Sequence, residues 1–178
     1  MMLHKVVDPF EQLELIEIFQ RLGLSSHFEK EMKRIVDGLY NTDHCGDIWK
    51  AENLYATALK FRLLRQYQYS VSQDVFNSFK DERGNFKACL CEDTKCMLSL
   101  YEASFHLIEG ENILEEAQDF STKHLEEYIN QNKDKNIAAI INHSLELPLH
   151  WRMLTASASV VMEPHTRPTN FESFQWCS

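Results

Sequence analysis

The stretch Leu54-Tyr55-Ala56-Thr57-Ala58-Leu59-Lys60-Phe61-Arg62-Leu63-Leu64-Arg65-Gln66 decides the fold class. Leu54, Ala58, Phe61 and Leu64 recur at three- and four-residue steps, which places them along one side of an α-helix. A half-buried strand would instead alternate with period two. The spacing predicts a helix from about Asp47 or Lys50 to Gln66. Lys60, Arg62 and Arg65 form the densest basic stretch of the chain, yet apolar residues interrupt it at helical spacing. These cations are expected on a solvated helix face, with their stems along the surface and their charges in water.

The same period continues on both sides. Upstream, Asp8 as N-cap and Pro9 at the first helical position open a helix through Leu13, Ile16, Phe19 and Leu22, with Gly23 as its stop. Ser26 and Glu29 have capping-box spacing for a second helix that buries Phe28, Met32, Ile35, Val36 and Leu39. Asn41 to Asp47 is a polar loop. Downstream, Ser72 caps a short fourth helix with Val75, Phe76 and Phe79, and Asp81 to Asn85 is a turn. A fifth helix is expected from about Asp93 to Ile108, presenting Met97, Leu100, Tyr101 and Ser104 and stopping at Gly110. A sixth runs from Asn112 to about Asn130. After the polar turn at Asn132 to Lys135, a seventh carries Ile137, Ile140, Ile141 and Leu145 and ends before Pro148. Seven helices without a strand make an all-α protein, and the short loops imply antiparallel neighbours. From Thr155 on, neither caps nor periodicity persists, so residues 155–178 are expected to be a poorly ordered tail.

Composition narrows the function classes. The 178 residues include 44% hydrophobic ones, enough for one domain with a core and too many for a disordered chain. Only 5 Gly and 4 Pro leave little punctuation for many strands. With 18 Lys+Arg against 27 Asp+Glu, the net charge of −9 opposes a phosphate backbone, and nucleic acid is not expected as a partner. No apolar run approaches the length that spans a bilayer, and the first residues carry no signal-peptide stretch, so no membrane is expected either. Five cysteines, an odd number, read as free thiols of a cytoplasmic protein.

Candidate chemistry is sparse. Cys89, Cys91 and Cys96 have only His106 nearby to complete four ligands, and Cys96 is expected to face the core, so ordinary thiols are the reading. The histidines (His4, His27, His44, His106, His124, His143, His150 and His165) include no zinc-protease pair on a helix. No Gly-x-Ser-x-Gly elbow or glycine-rich phosphate loop exists. Glu14 with Glu17, and Glu111 with Glu115 and Glu116, have spacings that could present carboxylates to Mg²⁺. The first pair is equally a solvated face, and Glu111 and Glu115 suit the positive end of a helix dipole. No catalytic, cofactor-binding or metal residue is assigned.

Several ordered stretches carry a resemblance. They are Leu13 to Ile16 leading into Gln20-Arg21-Leu22-Gly23-Leu24-Ser25-Ser26-His27-Phe28-Glu29, then Leu54 to Gln66, and Val71-Ser72-Gln73-Asp74-Val75-Phe76. Leu98 to Ser104, Gly110 to Ala117 and Leu147-Pro148-Leu149-His150-Trp151-Arg152 follow in the same order. Together, over about residues 8–154, they closely resemble the N-terminal domain of plant terpene synthases of the angiosperm mono- and sesquiterpene type.

The resemblance implies a helical α-barrel of the terpenoid-cyclase kind, here incomplete. It also implies the N-terminal half of an enzyme whose catalytic domain uses Mg²⁺ to remove diphosphate from a prenyl diphosphate such as geranyl or farnesyl diphosphate. The tandem-arginine and tryptophan motif that precedes the first helix in the family is missing, and Thr155 to Val161 replace the expected helix. The expectation is therefore a truncated synthase, from a splice variant, frameshift or shortened gene, with no cofactor of its own and no activity alone. A plastid origin stays open beside the cytoplasm. The alternative is an interaction module that pairs with a complete synthase, or with itself, through apolar surface left exposed.

Overall fold

The structure, a computed structural model, describes residues 8–42, 53–131 and 134–146. The tail at 155–178, the turn at Asn132–Lys133, most of the loop after Asn41, the Leu147–Arg152 stretch, Cys45, Cys177, His4, His44, His150 and His165 lie outside the described residues. Six α-helices make up most of the rest: α1 (Pro9–Arg21), α2 (Glu29–Thr42), α3 (Leu54–Gln66), α4 (Thr94–Ser104), α5 (Asn112–Asn130) and α6 (Lys135–Glu146). The described residues contain no strand; a single antiparallel bridge, Lys80 to Phe86, closes the predicted turn.

Local chemistry sets most of the helix ends. Asp8 caps α1 as expected, its Oδ1 accepting from the amides of Phe10 (2.8 Å) and Glu11 (3.0 Å). Gly23, at φ +70°, ends it: the Leu24 amide donates to the Phe19 carbonyl and the Gly23 amide to Gln20, a Schellman motif. The same motif ends α3, where the Tyr69 amide donates to Leu64 and the Gln68 amide to Arg65. There Gln68 takes the left-handed position at φ +67°, without the glycine that usually occupies it.

Three predicted boundaries and one predicted helix type are corrected. Helix α3 begins at Leu54, because Asn53 is extended and its side chain accepts from the Ala56 amide. Ser26 caps nothing: Ser25–His27 is a 3₁₀ turn and α2 starts at Glu29, while Phe28 stacks on Phe19 with ring centroids 4.7 Å apart. That aromatic contact fixes the entry angle of α2 in place of a capping box. Ser72 does cap the next element, yet Gln73–Phe79 winds as a 3₁₀ helix. A second 3₁₀ helix, Ala88–Glu92, was not foreseen. Helix α4 stops at Ser104 rather than Ile108, and the Ser104 hydroxyl turns back onto the Tyr101 carbonyl at 2.6 Å.

Helix α3 lies at the centre, between two apolar cores. Leu54, Ala58 and Phe61 join Phe76, Phe79, Met97, Leu100, Leu114 and Leu125 on one side. Leu59, Leu63 and Leu64 join Leu13, Ile16, Met32 and Val36 on the other. Leu64, expected beside Phe61, belongs to the second core. Burying one such Phe or Leu contributes about 1.5–3 kcal/mol, so a helix buried on both sides anchors the array.

Candidate functional site

Helices α1 and α4 lie along α3 and run parallel. Lys95 Nζ meets Glu14 Oε1 at 2.9 Å, and Arg21 Nη2 meets Glu102 Oε2 at 2.9 Å. Both pairs are 81 residues apart in sequence, so the two helices keep one register in the same direction. Between these pairs Arg62 of α3 reaches across to the Glu17 carboxylate and to Gln20 Oε1 at 3.2 Å. Arg21 bonds Glu17 as well, and Gln20 Nε2 donates to Gln66 Oε1 at 3.1 Å. Arg62 is 1% exposed and Glu17 8%. Two desolvated charges gain little net stability as a pair, but losing one leaves the other buried without compensation. The network therefore fixes how α1, α3 and α4 sit together.

One turn later, Arg65 fastens the end of α3 to the α4–α5 connection. Its guanidinium donates to the carbonyls of His106 (2.7 Å) and Val71 (3.1 Å), forks onto the Glu111 carboxylate and lies over the Phe61 ring at 4.3 Å. Glu111 also accepts from the Ile108 amide at 2.8 Å. The Arg65 hydrogen bonds, aided by that amide, hold the Glu111 carboxyl below the usual carboxylate range. Past Ser104 the chain tightens into i→i−3 bonds, His106 N–H to the Ala103 carbonyl and Leu107 N–H to the Ser104 carbonyl, and the clamp takes the His106 carbonyl left free there.

These contacts overturn three sequence readings. Lys60, Arg62 and Arg65 are not a solvated face: Lys60 and Arg62 are buried and Arg65 is largely covered. Of the pair Glu14 and Glu17, Glu17 is not on one either, being buried, whereas Glu14 stays partly exposed in a surface pair with Lys95. Glu111 serves Arg65 rather than only a helix dipole. The missed signal was positional: Glu17 shares the stripe of Leu13, Ile16 and Gln20, and Arg62 stands between Phe61 and Leu63 in a run apolar on both sides.

The remaining candidates stay apart. Glu116 pairs with Lys80, while Glu115 is exposed. Cys89 is exposed; burial pushes the Cys91 thiol up. Burial and the neighbouring Asp93 push the Cys96 thiol up to about 11, so it is half-buried and held protonated at neutral pH. His124 Nδ1 lies 3.1 Å from Glu127, His27 and His143 are exposed, and His106 enters the clamp through its carbonyl. Among the described residues no three of His, Cys, Asp or Glu converge on a metal position. The large apolar residues exposed on the surface are Ile18 on α1 and Leu22 just after it, Leu107 and Ile108 after α4, and Ile137 and Ile140 on α6.

The likeness to known proteins runs across this whole helical array. The family described as "Terpene synthase, N-terminal domain" matches residues 1–145. The chain is 83% identical over 153 residues to the chloroplastic myrcene synthase of Quercus ilex, covering 86% of this chain and 26% of that protein. It is 56% identical over 152 residues to the (-)-alpha-terpineol synthase of Vitis vinifera, covering 85% and 26%. The chain thus spans about a quarter of the length of these curated relatives. Among solved structures it is similar to isoprene synthase from grey poplar leaves, Populus x canescens, in complex with three Mg²⁺ ions and dimethylallyl-S-thiolodiphosphate. That likeness has a TM-score of 0.73 and 49% identity over 84% of this chain and 29% of the other. Limonene synthase with 2-fluorolinalyl diphosphate gives a TM-score of 0.78 at 43% identity, covering 94% and 33%. The all-α class and the terpenoid-cyclase helical fold both follow, with only part of those longer chains represented. A match from α1 to α6, in sequence and in backbone alike, makes this chain a member of the terpene synthase family, to which it belongs through the N-terminal domain.

Proposed function

We propose that this chain serves as the non-catalytic N-terminal domain of a terpene synthase and makes no terpene by itself. In this reading, loss of diphosphate from a prenyl diphosphate such as geranyl or farnesyl diphosphate belongs to a catalytic domain on which it docks. The observation that carries the reading is the fate of the carboxylates with metal-ligand spacing. Lys95 holds Glu14, Arg62 and Arg21 hold Glu17, Arg65 holds Glu111 and Lys80 holds Glu116. Mg²⁺ needs several carboxylates free to converge, and these are dispersed and neutralised by cations, so they do not fit the ion. What this chain's residues do is fix three helices against one another and present a shaped surface. Incubating the purified chain with Mg²⁺ and geranyl or farnesyl diphosphate should give no terpene above a heat-killed control. A product above that level overturns the proposal.

The buried state of Lys60 and Arg62 also supports keeping nucleic acid out of its partners. No helix among the described residues is long and apolar enough to cross a membrane. For the compartment we favour the plastid over the cytoplasm, since the Quercus ilex and Coffea arabica relatives are both named chloroplastic. A fluorescent fusion to the product of the intact gene that stays outside plastids would reverse that choice. Pairing of the chain with itself is the second reading, favoured by the exposed Ile137 and Ile140 on α6. Size-exclusion chromatography separates the two readings: a monomer removes the second.

A further inference from the structure

We infer that the cleft between the 3₁₀ turn Ser25–His27, the start of α2 and the end of α3 is a binding site for a small aliphatic amine, a primary ammonium ion on a methylene stem. The cleft encloses about 480 Å³, within the range of small-molecule sites. Ser25, Glu29 and Met32 line it from one side of the sequence, and Gln66, Tyr67 and Gln68 from the other. Gln66 alone among these is shared with the Arg62–Glu17 network, through Gln20.

Charge selects a cation. Glu29 is exposed and, among the described residues, no cation pairs with it: Lys33, one turn on, meets Asp37 at 3.1 Å instead. The end of α3 adds the negative pole of a helix dipole, and Arg65, the basic residue of its last turn, is held by Glu111. The positive pole of α2 also lies here, but its first turn already carries Glu29 and Glu31. Burial, followed by the charges of Glu29 and Asp37, pushes the Tyr67 phenol above its ordinary range. The field at that phenol is therefore set by carboxylates, although Lys33 also lines the cleft.

The remaining groups fit the rest of such a ligand. The Ser25 hydroxyl is shielded from solvent without a hydrogen-bond partner, and an ammonium N–H supplies the donor it lacks. Met32 and the Tyr67 ring offer apolar surface to the methylene stem, and the ring face attracts the cation itself. A carboxylate or phosphate ligand meets repulsion from Glu29 and the α3 pole, and a neutral diol leaves Glu29 without a counterion.

Calorimetric titration of the 178-residue chain with spermidine tests the site. A Kd of roughly 0.1–1 mM is expected, within reach of one ion pair and a short covered stem. Amide resonance shifts on titration should be confined to Ser25–Lys33 and Gln66–Gln68. Glu29→Gln should weaken binding about tenfold or more, since it removes the counterion at the site. Glu115→Gln removes the same charge from an exposed position on α5 and should change binding less than about twofold. Lys33→Gln should tighten binding about two- to fivefold by removing the cation at the rim. Ser25→Ala should weaken binding about threefold and yet raise the melting temperature of the free chain, because it removes a hydroxyl buried without a partner. Butanediol and succinate at equal concentration should give no binding. Equal losses in Glu29→Gln and Glu115→Gln, or shifts spread over the acidic surface, assign spermidine to general attraction by the net charge of −9 and overturn the inference. Succinate binding as tightly as spermidine overturns it too, as does the lack of any binding at about 10 mM spermidine.

Discussion

Helices α3 and α6 are nearly equal in length, 13 and 12 residues, and treat their side chains in opposite ways. Helix α3 buries Lys60 and Arg62, whereas α6 leaves Ile140 54% and Ile137 37% exposed. Position explains the reversal. Helix α3 lies between two cores and packs on α1, α2 and α4, so every face is covered and its cations must find carboxylates. Helix α6 packs chiefly on α5 and buries only Ala138, Ile141 and Ser144. Hydropathy states what a side chain prefers; the number of neighbours around its helix decides what it receives.

The strongest way to break the contrast is to remove a cation from α3. Arg62→Ala should destabilise the chain by about 3–5 kcal/mol, because Glu17 then stays buried with a weaker counterion set. Urea unfolding followed by circular dichroism measures it, and a loss below about 1 kcal/mol would show the network to be ornamental. Arg62→Met together with Glu17→Leu should recover much of that loss, since apolar replacements of similar volume remove both desolvated charges.

Neighbouring isoleucines on α6 sharpen the same comparison. Ile141→Ala should cost about 2–4 kcal/mol at a fully buried position, while Ile140→Ala stays within about 0.5 kcal/mol. Equal effects at both positions would mean that the outer face of α6 is covered in solution.

The clamp at the end of α3 responds to acid. The folded pKa of Glu111 is lowered, so its contribution is complete above the unfolded value and fades as pH falls through the folded one. Stability measured from about pH 6 down to pH 3 should fall less steeply for Glu111→Gln than for the parent. Parallel curves would dismiss the clamp as a source of acid sensitivity.

The smallest effect belongs to the turn after α3. Gln68→Gly should stabilise the chain by about 0.5–1 kcal/mol by relieving a left-handed φ at an exposed residue. A lower melting temperature would count against that account.

Legibility in the sequence followed the range of the interactions. Asp8, Gly23 and Ser72 act within a few residues of themselves, and each holds the boundary expected of it. The apolar stripes of α2 and α4 were legible for the same reason, because a 3.6-residue period needs no knowledge of the partner, whereas Leu22, read on the stripe of α1, is 65% exposed. At Ser26 the entry to α2 is made instead by the Phe28–Phe19 stack between two elements, and Ile108 falls outside α4, whose end tightens into i→i−3 bonds at His106 and Leu107. The candidate site was the least legible part. Its carboxylates and guanidiniums meet across 45 and 46 residues of sequence, and spacing within one helix shows only one of the two partners.

By itself, then, the sequence determined that this protein is all-α, where most of its helices stop, and which family its ordered stretches resemble. Those are consequences of local conformational preference and one-sided periodicity. Only the tertiary structure decided that α3 is enclosed, that Arg62 and Glu17 are neutralised by each other, and that Ile18, Leu22 and Ile108 stay exposed. Burial is a property of all the elements around a residue, and no single stretch of chain contains it.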